Sequence, residues 1–160
     1  MDPVFYPGSF DPITYGHIDI IERAIKVFGF VRVVIMDNPK KSTLFTVDER
    51  IDLIRECLSP ITSNFEAEKH DGLLVDYCEK TGIYTAIRGL RALTDFDYEF
   101  QMALTNKALN DKVESVLFIA NVKHTFLSSS LVKEIAQFDG DISEFVPPLV
   151  AQKLKAKLII

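Results

Sequence analysis

Tyr6-Pro7-Gly8-Ser9-Phe10-Asp11-Pro12-Ile13-Thr14-Tyr15-Gly16-His17 joins a short apolar strand signal to an amphipathic helix signal through a turn suited to phosphate. Val4-Phe5-Tyr6 reads as a buried strand, and Pro7-Gly8 and Asp11-Pro12 are turn punctuation. Ile18, Ile21, Ala24, Ile25 and Phe28 then recur at helical spacing, which places His17 in the first turn of a helix. Free main-chain N–H groups and the positive end of the helix dipole meet there, so an anion can be held without a cage of charged side chains. Gly8 and Gly16 are expected to let the backbone approach such a ligand. Gly-x-His alone is a weak signal, since an ordinary strand-to-helix connection whose Ser caps and whose His packs has the same residues. Neither G-x-G-x-x-G nor G-x-x-x-x-G-K-[ST] occurs in the chain.

The alternation continues after this unit. Val31-Arg32-Val33-Val34-Ile35-Met36 is a second strand, β-branched and nearly continuously apolar, ending at Asp37-Asn38-Pro39. Thr46 and Glu49 form a capping box for a helix with Ile51, Leu53, Ile54 and Leu58 on its apolar side, closed by Pro60. Phe65 to Lys69 is a weak third strand, Leu73 to Thr81 a short helix stopped by Gly82, and Tyr84 to Ile87 a fourth strand running into Arg88. A long helix is expected over Thr94 to Asn110, a fifth strand over Ser115 to Ala120, a helix from Ser128 to about Phe138, and a last helix opened by Pro147-Pro148. The order predicts an α/β fold: a doubly wound, Rossmann-like, five-stranded parallel sheet with helices on both faces. Ligands of such sheets sit beyond the carboxyl ends of the strands, where the winding changes direction.

With 160 residues, 48% of them hydrophobic and 26% charged, the chain has material for one domain with one core, spanning 1–160. A net charge of −5 argues against a nucleic-acid partner, which would need a basic face. Cys57 and Cys78 lie in helical patterns without C-x-x-C spacing, so neither a disulfide scaffold nor a structural zinc site is expected. The start lacks a basic leader and every apolar run is broken by charge, so the expectation is a soluble, cytoplasmic protein with no membrane partner. His17, His70 and His124 show no metal-ligand spacing, and His70 reads as a surface or core residue.

Residues suited to phosphate or sugar follow four of the five expected strands: Ser9 and His17, then Lys40-Lys41, then Arg88-Gly89-Leu90-Arg91, then Ser128-Ser129-Ser130. A cationic crevice in an acidic chain focuses an anionic substrate. Each member also has a structural reading. Lys40 and Lys41 suit a solvated loop. Arg88 extends an apolar strand and needs a partner there, which Asp95 or Asp97 could supply, making Arg88 and Arg91 a structural ion-pair network. The serine triplet could be a helix cap, although one serine suffices for that and three leave spare hydroxyls and amides.

Five motifs carry a resemblance over nearly the whole chain. Thr14-Tyr15-Gly16-His17 matches the T/H-x-G-H signature of the nucleotidyltransferase superfamily, and Tyr6 to Pro12 resembles the Y-P-G-[ST]-F-D-P lead-in typical of bacterial phosphopantetheine adenylyltransferases. The others are Asn38-Pro39-Lys40-Lys41 with Phe45-Thr46 and Glu49-Arg50; Ile87-Arg88-Gly89-Leu90-Arg91-Ala92; Asp95-Phe96-Asp97-Tyr98-Glu99; and Phe126 to Glu134. In this order they resemble bacterial phosphopantetheine adenylyltransferases. The resemblance implies transfer of the adenylyl group of ATP to 4′-phosphopantetheine, with Mg²⁺, giving 3′-dephospho-coenzyme A and diphosphate in coenzyme A biosynthesis. It also implies a homohexamer of two stacked trimers and coenzyme A as a feedback inhibitor.

Residue by residue, the resemblance implies Ser9 on the acceptor phosphate with Phe10 lining the ATP site, and His17 on the α-phosphate as transition-state stabiliser. Lys41 and Arg88 would hold the acceptor phosphate and Leu74 would meet the pantetheine arm. Gly89, Leu90, Arg91, Glu99, His124, Thr125, Phe126, Leu127, Ser128, Ser129 and Ser130 would surround ATP, with His17, Lys41 and Arg91 as the catalytic set. Where relatives carry Glu followed by Tyr or Trp, this chain has Lys123-His124, which would make ATP binding pH-sensitive. Alternatives are another nucleotidyltransferase, acting on nicotinamide mononucleotide or glycerol 3-phosphate, or a non-catalytic nucleotide-sensing module.

Overall fold

A computed structural model of the chain describes residues 3–37 and 42–158. Among them, five strands alternate with helices: β1 (Val4–Gly8), α1 (Tyr15–Phe28), β2 (Val31–Asp37), α2 (Val47–Leu58), β3 (Phe65–Asp71), α3 (Leu74–Thr81), β4 (Thr85–Leu90), α4 (Leu93–Leu109) and β5 (Glu114–Ile119). A short 3-10 turn (Val122–His124), α5 (Ser129–Gln137) and α6 (Pro148–Leu158) complete the order.

All pairings are parallel and the strand order is β3-β2-β1-β4-β5, the expected doubly wound sheet. The winding reverses between β1 and β4, so the chain leaves the ends of these two neighbours in opposite directions and opens a crevice there. β1 is buried on both faces because its side chains alternate. Val4 and Tyr6 join a core with Ile21, Ile54, Val132 and Leu154, whereas Phe5 joins Val34, Val75, Cys78 and Ala86 on the other face.

Sequence boundaries shift where the ladder overrides local propensity. The weak third strand runs on to Asp71, because Ile35↔Lys69, Met36↔His70 and Asp37↔Asp71 keep it in register with β2. Capping chemistry decides the helix starts. Thr46 and Glu49 form the expected reciprocal box on α2, and Gly82, at φ 72°, ends α3 in the left-handed conformation. A box the sequence reading missed opens α1, where Thr14 caps and His17 takes the place usually held by Glu or Gln.

α4 packs on β4, β5 and α3 and turns Glu99 and Asn106 inward. Leu93, Phe96, Tyr98, Phe100, Leu104 and Leu109 remain exposed along it. Cys57 and Cys78 are free, buried thiols.

Candidate active site

Two cavities open at the carboxyl ends of β1 and β4. The first, of about 290 Å³, is bordered by Ser9, Phe10, His17, Gly89, Arg91, His124 and Leu127 to Ser130. The second, of about 890 Å³, runs past Met36, Leu74, Tyr98 and Asn106. They share a wall made by Pro7, Gly8, Ser9, Arg88 and Glu99. Two ligands placed in them would meet at Ser9 and Arg88.

The turn from β1 to α1 is held in an uncommon shape. Phe10 has φ 45° and is 1% exposed, its ring 5.3 Å from that of Tyr6 and 5.0 Å from that of His17. A Cβ on Gly8 would lie 2.9 Å from Phe10 Cε2, so glycine there makes room for this ring. At Gly16 a Cβ would meet only ordinary contacts, 3.5 Å to Thr14 Oγ1 and 3.6 Å to His124 Cβ. Packing against Phe10 accounts for glycine at position 8, no protein contact requires one at position 16, and both border the first cavity.

His17 is oriented by its own helix cap. The Thr14 main-chain N–H donates to Nδ1 at 3.1 Å, and the Thr14 hydroxyl lies 3.1 Å from the same nitrogen. Nδ1 is an acceptor, so the neutral imidazole carries its hydrogen on Nε2. Desolvation by burial, reinforced by the charges of Arg91 and Arg88, brings the imidazole pKa down to about 4. At neutral pH His17 is an uncharged donor.

Arg88 does have an acidic partner, but it is Glu99, not the expected Asp95 or Asp97. Nε and Nη2 of Arg88 each donate to a Glu99 oxygen at 2.8 Å, and Nη1 donates to the Pro7 carbonyl at 2.8 Å. Burial disfavours the Arg88 charge, but the bonded Glu99 carboxylate outweighs it and holds the pKa above its ordinary value. Two guanidinium hydrogens remain uncommitted for an anion. Asp95 instead accepts from Arg91 Nε at 3.1 Å, while Arg91 Nη1 reaches the Leu127 carbonyl at 2.9 Å. Arg91 thus ties the end of β4 to the loop before α5.

The serine triplet divides its duties. Ser128 caps α5 by accepting from Leu131 N at 3.1 Å, and Ser129 Oγ donates to the Pro12 carbonyl at 2.7 Å. Ser130 borders the first cavity and is exposed. Three expected site residues do not border either cavity: Leu90, Thr125, whose hydroxyl donates to Val122 O, and Phe126, whose ring packs edge-on against Phe145. Lys40 and Lys41 lie outside the described residues.

Sequence reading gave Arg50 a place in a motif but no role; it is 1% exposed and donates to Ser9 O at 2.9 Å and Thr46 O at 3.3 Å. The signal was present. Arg50 shares one helical face with Leu53, Ile54 and Cys57, and a cation on an apolar face is bonded to something.

The winding reversal thus sets a helix start and basic side chains beside two adjoining cavities, an arrangement that suits two anionic ligands side by side. The cytidylyltransferase-like family model matches residues 5–135. A phosphopantetheine adenylyltransferase of Caldanaerobacter subterraneus subsp. tengcongensis is 52% identical over 157 residues, 98% of each chain. Another from Staphylococcus haemolyticus is 50% identical over 151 residues, 94% of this chain and 93% of that one. The chain belongs to the phosphopantetheine adenylyltransferase family of enzymes. The Plasmodium falciparum nicotinic acid mononucleotide adenylyltransferase complexed with NaAD shares the fold at TM-score 0.64 and 18% identity, covering 99% of this chain and 94% of that one.

Proposed function

We propose that the chain, as a single domain, transfers the adenylyl group of ATP to 4′-phosphopantetheine, releasing 3′-dephospho-coenzyme A and diphosphate. The observation that carries this reading is the wall shared by the two cavities, where Ser9 and Arg88 face both. ATP would occupy the cavity bordered by His17, Arg91 and the serine triplet. The pantetheine arm would lie along Leu74 with its phosphate at Ser9 and Arg88, joined by Lys41.

An oxygen of that phosphate attacks the α-phosphorus of ATP, the bond from the α-phosphorus to the α,β-bridging oxygen breaks, and diphosphate leaves with the electron pair. The attacking oxygen is already ionised at neutral pH, so no general base is required. The protein's task is to align two polyanions and to stabilise charge on the α-phosphate. His17 Nε2–H is the donor for that charge. Arg91 and the free amides at the start of α5 suit the leaving diphosphate.

Mg²⁺ belongs to this proposal as an ion brought by ATP, where it neutralises triphosphate charge. Among the described residues no group of three His, Cys, Asp or Glu is placed to hold a metal. The carboxylates around the site, those of Asp11, Asp95 and Glu99, are each paired with a cation. Phosphate oxygens and water are the donor set that fits the ion here.

The exposed apolar side chains of α4 support assembly with further copies of the chain, six in the arrangement the resemblance implies. Coenzyme A shares the pantetheine arm and would compete for the same cavities. Among the described residues no helix is long and apolar enough to cross a membrane. The two free thiols fit a cytoplasmic location.

The test is diphosphate release from ATP and Mg²⁺ with 4′-phosphopantetheine, nicotinamide mononucleotide or glycerol 3-phosphate as acceptor, and with none. Release only with 4′-phosphopantetheine, abolished by a chelator, is the expected result. Equal release with another acceptor, or ATP binding without turnover, overturns the reading.

A further inference from the structure

Asp11 sits in the turn between β1 and α1, 3% exposed, and joins three separate segments. Its Oδ1 accepts from Phe45 N at 2.9 Å, and its Oδ2 from Leu44 N at 3.0 Å and from Lys133 Nζ at 2.7 Å. Leu44 and Phe45 belong to the stretch that follows Lys41, while Lys133 lies on α5, one helical turn beyond Ser129. The Ser129 hydroxyl is bonded to the carbonyl of Pro12, the neighbour of Asp11. A single carboxylate therefore links the Ser9 turn, the chain leading from Lys41 and the helix that carries the serines.

Only a carboxylate can do this. Two oxygens accept three hydrogen bonds from three directions, whereas an asparagine in the same place would turn an NH₂ group toward one of the donors. A lone buried carboxylate this close to phosphate sites would also repel the substrates. The Lys133 ammonium cancels that charge, so the link is made at no net cost to the field of the crevice. Lys133 does not border the cavity of His17 and Arg91, so it acts through other residues.

From these contacts we infer that Asp11 and Lys133 form a positioning pair for adenylyl transfer, setting the distance between the acceptor phosphate at Ser9 and the triphosphate at the start of α5. The inference rests on the functional reading above. In-line attack is sensitive to such a distance, and a displacement of the order of 1 Å lowers rate by as much as ~10²-fold.

The experiment is steady-state kinetics of the full-length enzyme with Lys133→Met, Lys133→Gln and Lys133→Arg, alongside thermal unfolding of each. Met or Gln should lower kcat by roughly 10- to 100-fold at temperatures where the variant remains folded, with KM for both substrates within about threefold of wild type. Arg, which restores the charge and the donor, should recover kcat to within about threefold. Gln retains a polar end where Met does not, so it supplies the measurement if the Met variant fails to fold. A folded Met or Gln variant with wild-type kcat, even at lowered Tm, overturns the inference by reducing the pair to a structural tie. Failure of Arg to restore kcat overturns it as well. Should the wild-type chain itself show no turnover with 4′-phosphopantetheine, the functional reading falls and this inference with it. Normal wild-type turnover beside an unimpaired Lys133 variant removes the inference alone.

Discussion

Arg88 and Glu99 grip each other through two hydrogen bonds of 2.8 Å in the wall between the two cavities. The pair fixes the plane of the guanidinium, and so the direction of the two hydrogens left for phosphate. Replacing Glu99 by Gln should raise KM for 4′-phosphopantetheine about tenfold or more and lower stability by roughly 1–3 kcal/mol, because a largely enclosed cation loses its carboxylate. Initial rates across acceptor concentration, with a denaturant titration, check both. An unchanged KM would mean that Arg88 needs no such support.

His17 as a neutral donor predicts the loss expected of one oxyanion-type donor. His17→Ala should reduce turnover by roughly 10²–10³-fold. Thr14→Ala, which removes the cap, should cost about 1 kcal/mol and also lower kcat, since the ring loses a partner at Nδ1. Wild-type turnover in His17→Ala would refute the role.

Acid should weaken the protein in two stages. The His17 imidazole has its pKa brought down to about 4 in the folded state, so between its ordinary value near 6.5 and 4 the unfolded chain binds more protons, and stability falls as pH falls through that window. Burial alone would raise the Asp11 pKa, but the bonds from Lys133, Phe45 and Leu44 outweigh it and hold the carboxyl below its ordinary range. Its contribution is present above the unfolded value near ~3.9 and is lost as pH drops through the folded one. Urea midpoints from pH 7 to 3 should therefore decline throughout. His17→Gln should flatten the upper window only, and Lys133→Met, which lets burial bring the folded Asp11 pKa back up toward its unfolded value, should shrink or abolish the lower loss.

Gly8→Ala tests the packing beneath the turn. The added methyl group would meet Phe10 Cε2 at 2.9 Å and Cζ at 3.1 Å, and the Phe10 ring is enclosed by Tyr6 and His17. The expected cost is about 1–3 kcal/mol, with reduced turnover because the displaced ring touches His17. Calorimetry and kcat on the same preparation decide whether both change together.

His124 borders the first cavity beside Leu127. His124→Tyr offers a larger stacking face and should lower KM for ATP by roughly threefold or more, on the scale of base–aromatic stacking. An equal or higher KM would remove the stacking argument.

The sheet, the place of His17 in a first helical turn and the positions of Ser9, Arg88 and the serine triplet beyond strand ends were legible in the chain. Their signals are local: alternation in β1, the apolar run of β2, the Thr46–Glu49 box, Gly82 at the end of α3. The extension of β3 to Asp71 was not legible, because a ladder with β2 holds polar residues that lack strand propensity. Nor was the partner of Arg88. Asp95, Asp97 and Glu99 all stand within reach along the sequence, and only the rotation of α4 turns Glu99 inward while Asp95 meets Arg91.

Periodicity, capping residues and the order of motifs thus settled the architecture and the family, since these depend on neighbours a few residues apart. Tertiary structure decided the distant partners of the buried charges. Lys133 reaches Asp11 across 122 positions, and Arg50 reaches Ser9 across 41. Such pairs form because a buried charge must find a partner wherever packing has carried it, and no local pattern records that distance.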